Sequence, residues 1–303
     1  MRYAESCVAS AGMRYDNPVT RYMKKVLVGE HPSDAEWYEH LLMFNRLHPG
    51  GTPKVFRPFT NADRRSSYEL LARAIAAFGP AANVIDIGCG DGALVSDLRR
   101  VLPDALIVGV DISDVEIDAA RLKVDDKRVR FIQAHAAKLP IASDSIDAVV
   151  SHLALMLMPD VNEVLLEARR MLRQGGRLAF VVDHPGGRDE DSMALFAKAG
   201  ATIRAQYPEF AQPNPGDQDF RDATAIDGQL KTLGFEDIVM TSIITTARLS
   251  AEAYWDFFES TYVIGMLEDT ARACVRENLL DSMDGETVTM KMPLLLVTAK
   301  NAA

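Results

Sequence analysis

The stretch Val84-Ile85-Asp86-Ile87-Gly88-Cys89-Gly90-Asp91-Gly92 constrains this chain more than any other. Its short, nearly continuous apolar run has the look of a parallel strand buried on both faces. Glycines at alternate positions directly after the run permit positive φ and leave no Cβ in the way of a ligand. The helix expected next, ALVSDLRRVL, presents free backbone N–H groups and the positive end of its dipole to that turn. Strand, glycine turn and helix specify a βα unit with a binding crevice at the carboxyl end of the strand.

The same rhythm repeats. Strands are expected at 82–88, 105–111, 129–135, 145–153 and 176–184, with helices at 114–122 and about 160–173, the latter stopped by Gln174-Gly175-Gly176. Such alternation predicts a doubly wound parallel sheet with right-handed crossovers. Upstream, the first 60 residues look irregular apart from a helix at 33–47. Ser33 and Glu36 form its capping-box pattern, and the turn cluster HPGGTP (48–53) ends it. Another helix is expected from Asp63 to about Phe78. Beyond His184 come a helix near 191–205, the loop-like stretch 208–219, a helix at 223–233, a strand at 235–246, helical sequence through 250–281 and a last strand at 288–300.

Composition narrows the function classes. The net charge of −10 repels a phosphate backbone on average, so a general nucleic-acid binder is not expected. The charge is uneven: residues 1–75 hold 11 Lys and Arg against 8 Asp and Glu, and the remainder 22 against 35. Arg57, Arg64 and Arg65 are therefore candidates to receive an anionic group. Cys7, Cys89 and Cys274 are far apart and form no CxxC pair, so neither a disulfide framework nor a metal site is expected, and a reducing, cytoplasmic setting follows. No signal-peptide core or membrane-spanning run is seen.

Two carboxylates flank the glycine turn. Asp111 ends the next strand, 19 residues beyond Gly92, where it can accept both hydroxyls of a ribose. To this point a dinucleotide-binding domain explains the residues nearly as well. Asp86, two residues before the first glycine, is awkward beside a diphosphate and suits an ammonium group; alternatively it caps its own turn.

The run VIDIGCGDG resembles motif I of the class I S-adenosylmethionine-dependent methyltransferases, and VGVDIS resembles their second motif. Leu139-Pro140-Ile141 through Asp144-Ser145-Ile146-Asp147 is similar to a third family segment, and 168–176 (ARRMLRQGG) to a fourth. The four stand in the family's order over about residues 80–185. The resemblance implies an α/β fold: a doubly wound, mostly parallel seven-stranded sheet with an antiparallel C-terminal hairpin strand. To this it adds an N-terminal helical lid segment (1–62) and a Rossmann-like domain (63–303) with helical lid insertions at about 186–222 and 248–284.

The implied cofactor is S-adenosylmethionine, with S-adenosylhomocysteine as product. By the resemblance Gly88, Cys89 and Gly90 let the backbone meet its methionine part, Asp111 holds the ribose and Ile112 packs on the adenine. Where the family often has an Asp that accepts from the adenine amino group, this chain has His135; its neutral nitrogen can accept that bond, or the contact moves to the Ala136 backbone. Ser151 and His152 fall where the family approaches the sulfonium and substrate.

Methyl transfer from a sulfonium is an in-line displacement that needs alignment and a dry site, and orientation alone can lower a barrier by about 7–11 kcal/mol. His152 and His184, after the fourth and fifth strands, are the candidate catalytic bases, titrating near neutrality. Trp37, Tyr38 and Phe59 are candidates to face the sulfonium, and the aromatic face Tyr254, Trp255, Phe257, Phe258, Tyr262 to cover a substrate pocket; core packing is the alternative for each. The expected activity is methyl transfer to an O, N, S or C atom of a small molecule, in biosynthetic or secondary metabolism. No nucleic-acid or membrane partner is expected, and a homodimer is left open. Methylation of a macromolecule, a non-catalytic cofactor-binding module and a nicotinamide oxidoreductase are the alternatives.

Overall fold

Short β-branched runs bounded by glycine turns and helix caps set the order of elements. The computed structural model describes residues 20–184, 190–211, 216–281, 283 and 287–302. Its strands are β1 Asn83–Ile87, β2 Leu106–Asp111, β3 Val129–Gln133, β4 Ile146–His152, β5 Leu172–Asp183, β6 Phe235–Leu249 and β7 Val288–Asn301. The helices are α1 Arg21–Leu27, α2 Asp34–Leu47, α3 Gly51–Phe56, α4 Ser67–Ala76, α5 Ala93–Val101, α6 Asp114–Lys123, α7 Val161–Met171, α8 Glu190–Gln206, α9 Ala223–Thr232, α10 Ala251–Glu259 and α11 Asp269–Asp281.

Among the described residues the sheet has seven strands in the order β3-β2-β1-β4-β5-β7-β6. β1 pairs in parallel with both β2 and β4, Ile85 standing opposite Val108 and Val149. β7 runs antiparallel to β5. The winding reverses between β1 and β4, so the crevice at a switch point lies at the carboxyl ends of these two strands. This is the doubly wound sheet with an antiparallel C-terminal strand that the motifs imply.

Contacts divide the chain into two units. One comprises Pro49–Arg188, Pro215–Thr246 and Lys291–Ala303, and holds the sheet. Its strands alternate strictly: Ile85, Val149 and Phe180 join a core with α7 and α9 on one face, while Val84, Val150 and Val181 join a core with α4 and α5 on the other. Each such fully buried side chain contributes about 1.5–3 kcal/mol.

The other unit comprises Met1–His48, Asp189–Asn214 and Ala247–Met290. Its interior is aromatic. Tyr22 lies 5.3 Å from Trp37, Trp37 meets the Tyr262 ring edge-on at 5.3 Å, and Phe44 lies 4.7 Å from Tyr262. Phe196 packs edge-on against Phe258 at 5.1 Å. Tyr254, Trp255, Phe257 and Phe258 are all buried. The aromatic face expected to cover a substrate is thus the core of this unit, and so is Trp37.

Several boundaries depart from expectation. Ser33 caps α2 in a full capping box, as the sequence implies. The cluster after it does not stay a turn: Gly50 at φ +65° starts α3, whose first turn accommodates Pro53. α4 begins at Ser67 rather than Asp63, because Asn61 Oδ1 accepts from the Asp63 and Arg65 N–H groups and Arg64 sits at φ +60°, a turn rather than a helix. α1 lies in sequence that looked irregular. Cys89 is free, as expected, but Cys274 is disulfide-bonded, which corrects the expectation for it. Cys7 lies outside the described residues.

Candidate functional site

β1 carries Asp86 into the sheet and ends at the glycine turn. The Gly88 and Cys89 N–H groups both donate to the Val110 carbonyl, at 2.8 and 3.0 Å, anchoring the turn to β2. Gly88, Gly90 and Gly92 all have positive φ. Their reasons differ. A Cβ on Gly88 would overlap the Ala154 side chain, so packing within the protein already demands glycine there. A Cβ on Gly90 would meet only Glu116 Oε2, at 3.7 Å. The space before Gly90 is open, and its bareness leaves room for a ligand.

Asp111, at the end of β2, receives the Gly90 N–H on Oδ2 and the Ser113 N–H on Oδ1, both at 2.9 Å. Burial raises its pKa while those backbone donors oppose the rise. Asp86 is different in kind. It is 1% exposed, and neither carboxylate oxygen has a hydrogen-bond partner. Burial, then the nearby Asp111 charge, pushes its pKa well above the ordinary carboxylate value. A turn-capping role for Asp86 is excluded by this geometry. A buried carboxylate without a donor costs several kcal/mol unless a cation or a proton compensates it.

Asp91 caps the start of α5 through the Ala93 N–H at 3.1 Å and pairs with Lys123 at 2.7 Å. The Cys89 thiol is buried, and burial raises its pKa well above the usual value, which makes it inert. Ile112 is half-buried, Ala136 is buried, and His135 is exposed with Nε2 3.6 Å from an Asp160 oxygen. The Ser151 hydroxyl donates to the Ile87 carbonyl at 2.8 Å. That bond ties β4 to β1, so the side chain itself is taken up by the sheet.

The two histidines end in different surroundings. His152 is buried; its Nε2 lies 2.8 Å from the Ser67 hydroxyl and its ring stacks on Tyr68 at 3.6 Å. Burial, with the Arg57 charge adding to it, lowers its pKa to about 3. The expectation that it titrates near neutrality is corrected: it is a neutral, poorly basic imidazole. His184 is half-buried, with Nδ1 3.4 Å from the Arg221 carbonyl. Arg57 is not a free anion receptor either. It binds Asp97 at 2.8 Å and the Ala93 carbonyl at 2.9 Å, and lies over the Tyr68 ring.

Sequence reasoning missed Glu116 and Gly50. The Gly50 N–H donates to Glu116 Oε1 at 2.9 Å, bringing a turn and a helix together across 66 residues. The local signal misleads, since Ser113-x-x-Glu116 has the form of a capping box.

Residues 85–180 match the family described as "Methyltransferase domain". Among curated proteins, the chain is 32% identical over 158 residues to methyltransferase GfsG of Streptomyces halstedii, covering 50% of this chain and 56% of that protein. It is 32% identical over 145 residues to a demethylmenaquinone methyltransferase of Roseiflexus sp., covering 48% and 59%. The chain thus spans somewhat over half the length of these relatives. Among solved structures, the YcgJ protein of Bacillus subtilis superimposes with a TM-score of 0.52 at 18% identity, covering 78% of this chain and 98% of that one. The [4+2]-cyclase SpnF superimposes with a TM-score of 0.55 at 17% identity, covering 90% and 97%. The two structures share the fold, and the cyclase shows that the fold alone does not decide the chemistry. The glycine turn, Asp86 and Asp111 all fall within the matched residues, so this stretch of the chain is similar to a methyltransferase domain.

Proposed function

We propose that this protein transfers a methyl group from S-adenosylmethionine to a small-molecule acceptor. The observation that carries the reading is Asp86, a buried carboxylate with no hydrogen-bond donor, two residues before a glycine turn whose Gly90 has an open face. A ligand with an ammonium and a sulfonium compensates that carboxylate, whereas a diphosphate adds like charge. The residues present therefore fit the cofactor. Asp86 would meet its cationic methionyl end, the Gly88–Gly90 backbone would lie along it, Asp111 would accept from the ribose hydroxyls, and Ile112, His135 and Ala136 would border the adenine.

When bound, the cofactor supplies an electrophilic methyl group and a neutral leaving group. What the chain supplies is alignment and exclusion of water, and the glycine turn is held for that purpose by Val110 and Asp111. His152 acts in this reading as a positioning group, fixed between Ser67 and Tyr68. His184, whose Nδ1 lies 3.4 Å from the Arg221 carbonyl, remains the candidate proton acceptor in this reading. The Ser151 contribution runs through its backbone.

The small-molecule acceptor is supported by the negative net charge, which disfavours nucleic acid, and by a curated relative that acts on demethylmenaquinone. The helical segments that interrupt the sheet sequence are the proposed source of acceptor selectivity. A cytoplasmic enzyme, alone or as a homodimer, belongs to the same reading; no described helix is long and apolar enough to cross a membrane. Thermal melts with S-adenosylmethionine, S-adenosylhomocysteine and NADH test it. Stabilisation by the first two alone is expected from mass action, and stabilisation by NADH alone would overturn it.

A further inference from the structure

Glu116 stands one turn into α6, and only half of its capping-box pattern is made: Ser113 accepts from the Glu116 N–H at 3.4 Å. The carboxylate turns elsewhere. Oε1 accepts from the Gly50 N–H at 2.9 Å, and Oε2 has no hydrogen-bond partner although the residue is only 5% exposed. Oε2 is also the one atom that a Cβ on Gly90 would meet, at 3.7 Å. This carboxylate therefore borders the open face of the glycine turn at Gly90.

The charged groups facing it come from three elements: Asp111 at the end of β2, Asp91 on the glycine turn and Lys123 at the end of α6. Lys123 is engaged by Asp91 at 2.7 Å, so the surroundings of Glu116 are net negative. Burial raises its pKa to about 7; the Gly50 donor opposes the rise, Asp111 and Asp91 add to it, and Lys123 lowers it slightly.

We propose that Glu116 is a specificity-determining residue of the cofactor site, a second carboxylate with an unsatisfied oxygen that makes the pocket prefer the sulfonium donor over its neutral thioether product. The inference rests on the cofactor reading above. Donor and product share every recognition element except one methyl group and one positive charge, so a pocket can separate them chiefly by electrostatics. Even across about 12 Å at an effective dielectric near 20, one unit charge corresponds to about a tenfold change in affinity. An ionised Glu116 supplies that preference and a protonated one does not. Linkage then requires the donor-to-product affinity ratio to rise with pH through the neutral range.

Calorimetric titration of the purified full chain with S-adenosylmethionine and with S-adenosylhomocysteine, at pH 6 and pH 8, tests this without turnover. In the wild type the affinity ratio is expected to shift about five- to tenfold toward the donor between the two pH values. In Glu116→Gln, whose amide oxygen still accepts from Gly50, the ratio is expected to change less than about twofold. A wild-type ratio that does not move with pH overturns the role of Glu116 even if the variant fails to fold. So does a shift that survives in the variant, which assigns it to Asp86 or Asp111. Failure of the wild type to bind either compound overturns the cofactor reading itself, whereas tight binding of both with a flat ratio overturns only this proposal.

Discussion

His40 in the helical unit and Asp86 in the sheet unit are both fully buried polar groups, yet their bonding is opposite. His40 has Thr20 Oγ1 2.7 Å from Nδ1 and the Tyr262 carbonyl 2.6 Å from Nε2, so both ring nitrogens are satisfied. Neither oxygen of Asp86 is satisfied. The protein completes the first group by itself and leaves the second to be completed by a ligand. A buried polar residue marks a binding site when its partners are missing; burial alone does not mark one.

This contrast has opposite consequences for pH. Burial lowers the His40 pKa from 6.5 to about 4, so the unfolded chain binds the extra proton across that interval. Stability that His40 leaves intact above pH 6.5 is therefore lost as pH falls toward 4, by up to about 3 kcal/mol. Chemical denaturation at a series of pH values measures it, and His40→Phe should abolish most of the slope. The Asp86 pKa is raised, so here the native state holds the proton and the ligand-free protein loses stability as pH climbs above the unfolded carboxylate range.

A smaller effect, but one more specific to function, is expected at Asp86. Asp86→Asn should weaken S-adenosylmethionine binding by about a hundredfold while leaving the ligand-free melting temperature unchanged or higher, since the cost of keeping a buried carboxyl protonated is removed. An equal loss of stability and affinity would place Asp86 with His40 instead. Asp111→Ala should weaken the same binding by at least about tenfold and, unlike Asp86→Asn, lower the melting temperature, because the Gly90 and Ser113 N–H groups lose their acceptor. The mildest change is expected at His152. Replacement by Gln, which can keep the Ser67 bond, should reduce turnover less than tenfold and leave cofactor affinity unchanged; a flattened acid limb of the pH–rate profile would restore it as a base.

The sheet was legible because its signals are local. A strand, its glycine turn and the following helix fall within about 20 residues, and burial on both faces writes itself as an apolar run. The same locality explains what was missed. α3 hides in Gly50-Gly51-Thr52-Pro53, residues that normally end helices and here begin one. The Glu116–Gly50 bond spans 66 residues and the Ser67–His152 contact 85, and no periodicity reports such pairs. The aromatic face of α10 was visible, but its pattern does not say whether the rings face a ligand or one another. Asp86 and Asp111 stood out for their place beside the turn, while the lack of partners on Asp86 became visible only in three dimensions.

The most direct test is the proton count on cofactor binding. Titration of the wild type with S-adenosylmethionine near neutral pH, in buffers of different ionisation enthalpy, is expected to show net proton release as a cationic ligand ionises the buried carboxylates, and a smaller release in Asp86→Asn. Tight binding with identical heats in every buffer would contradict the claim that the glycine turn presents an uncompensated carboxylate to its ligand.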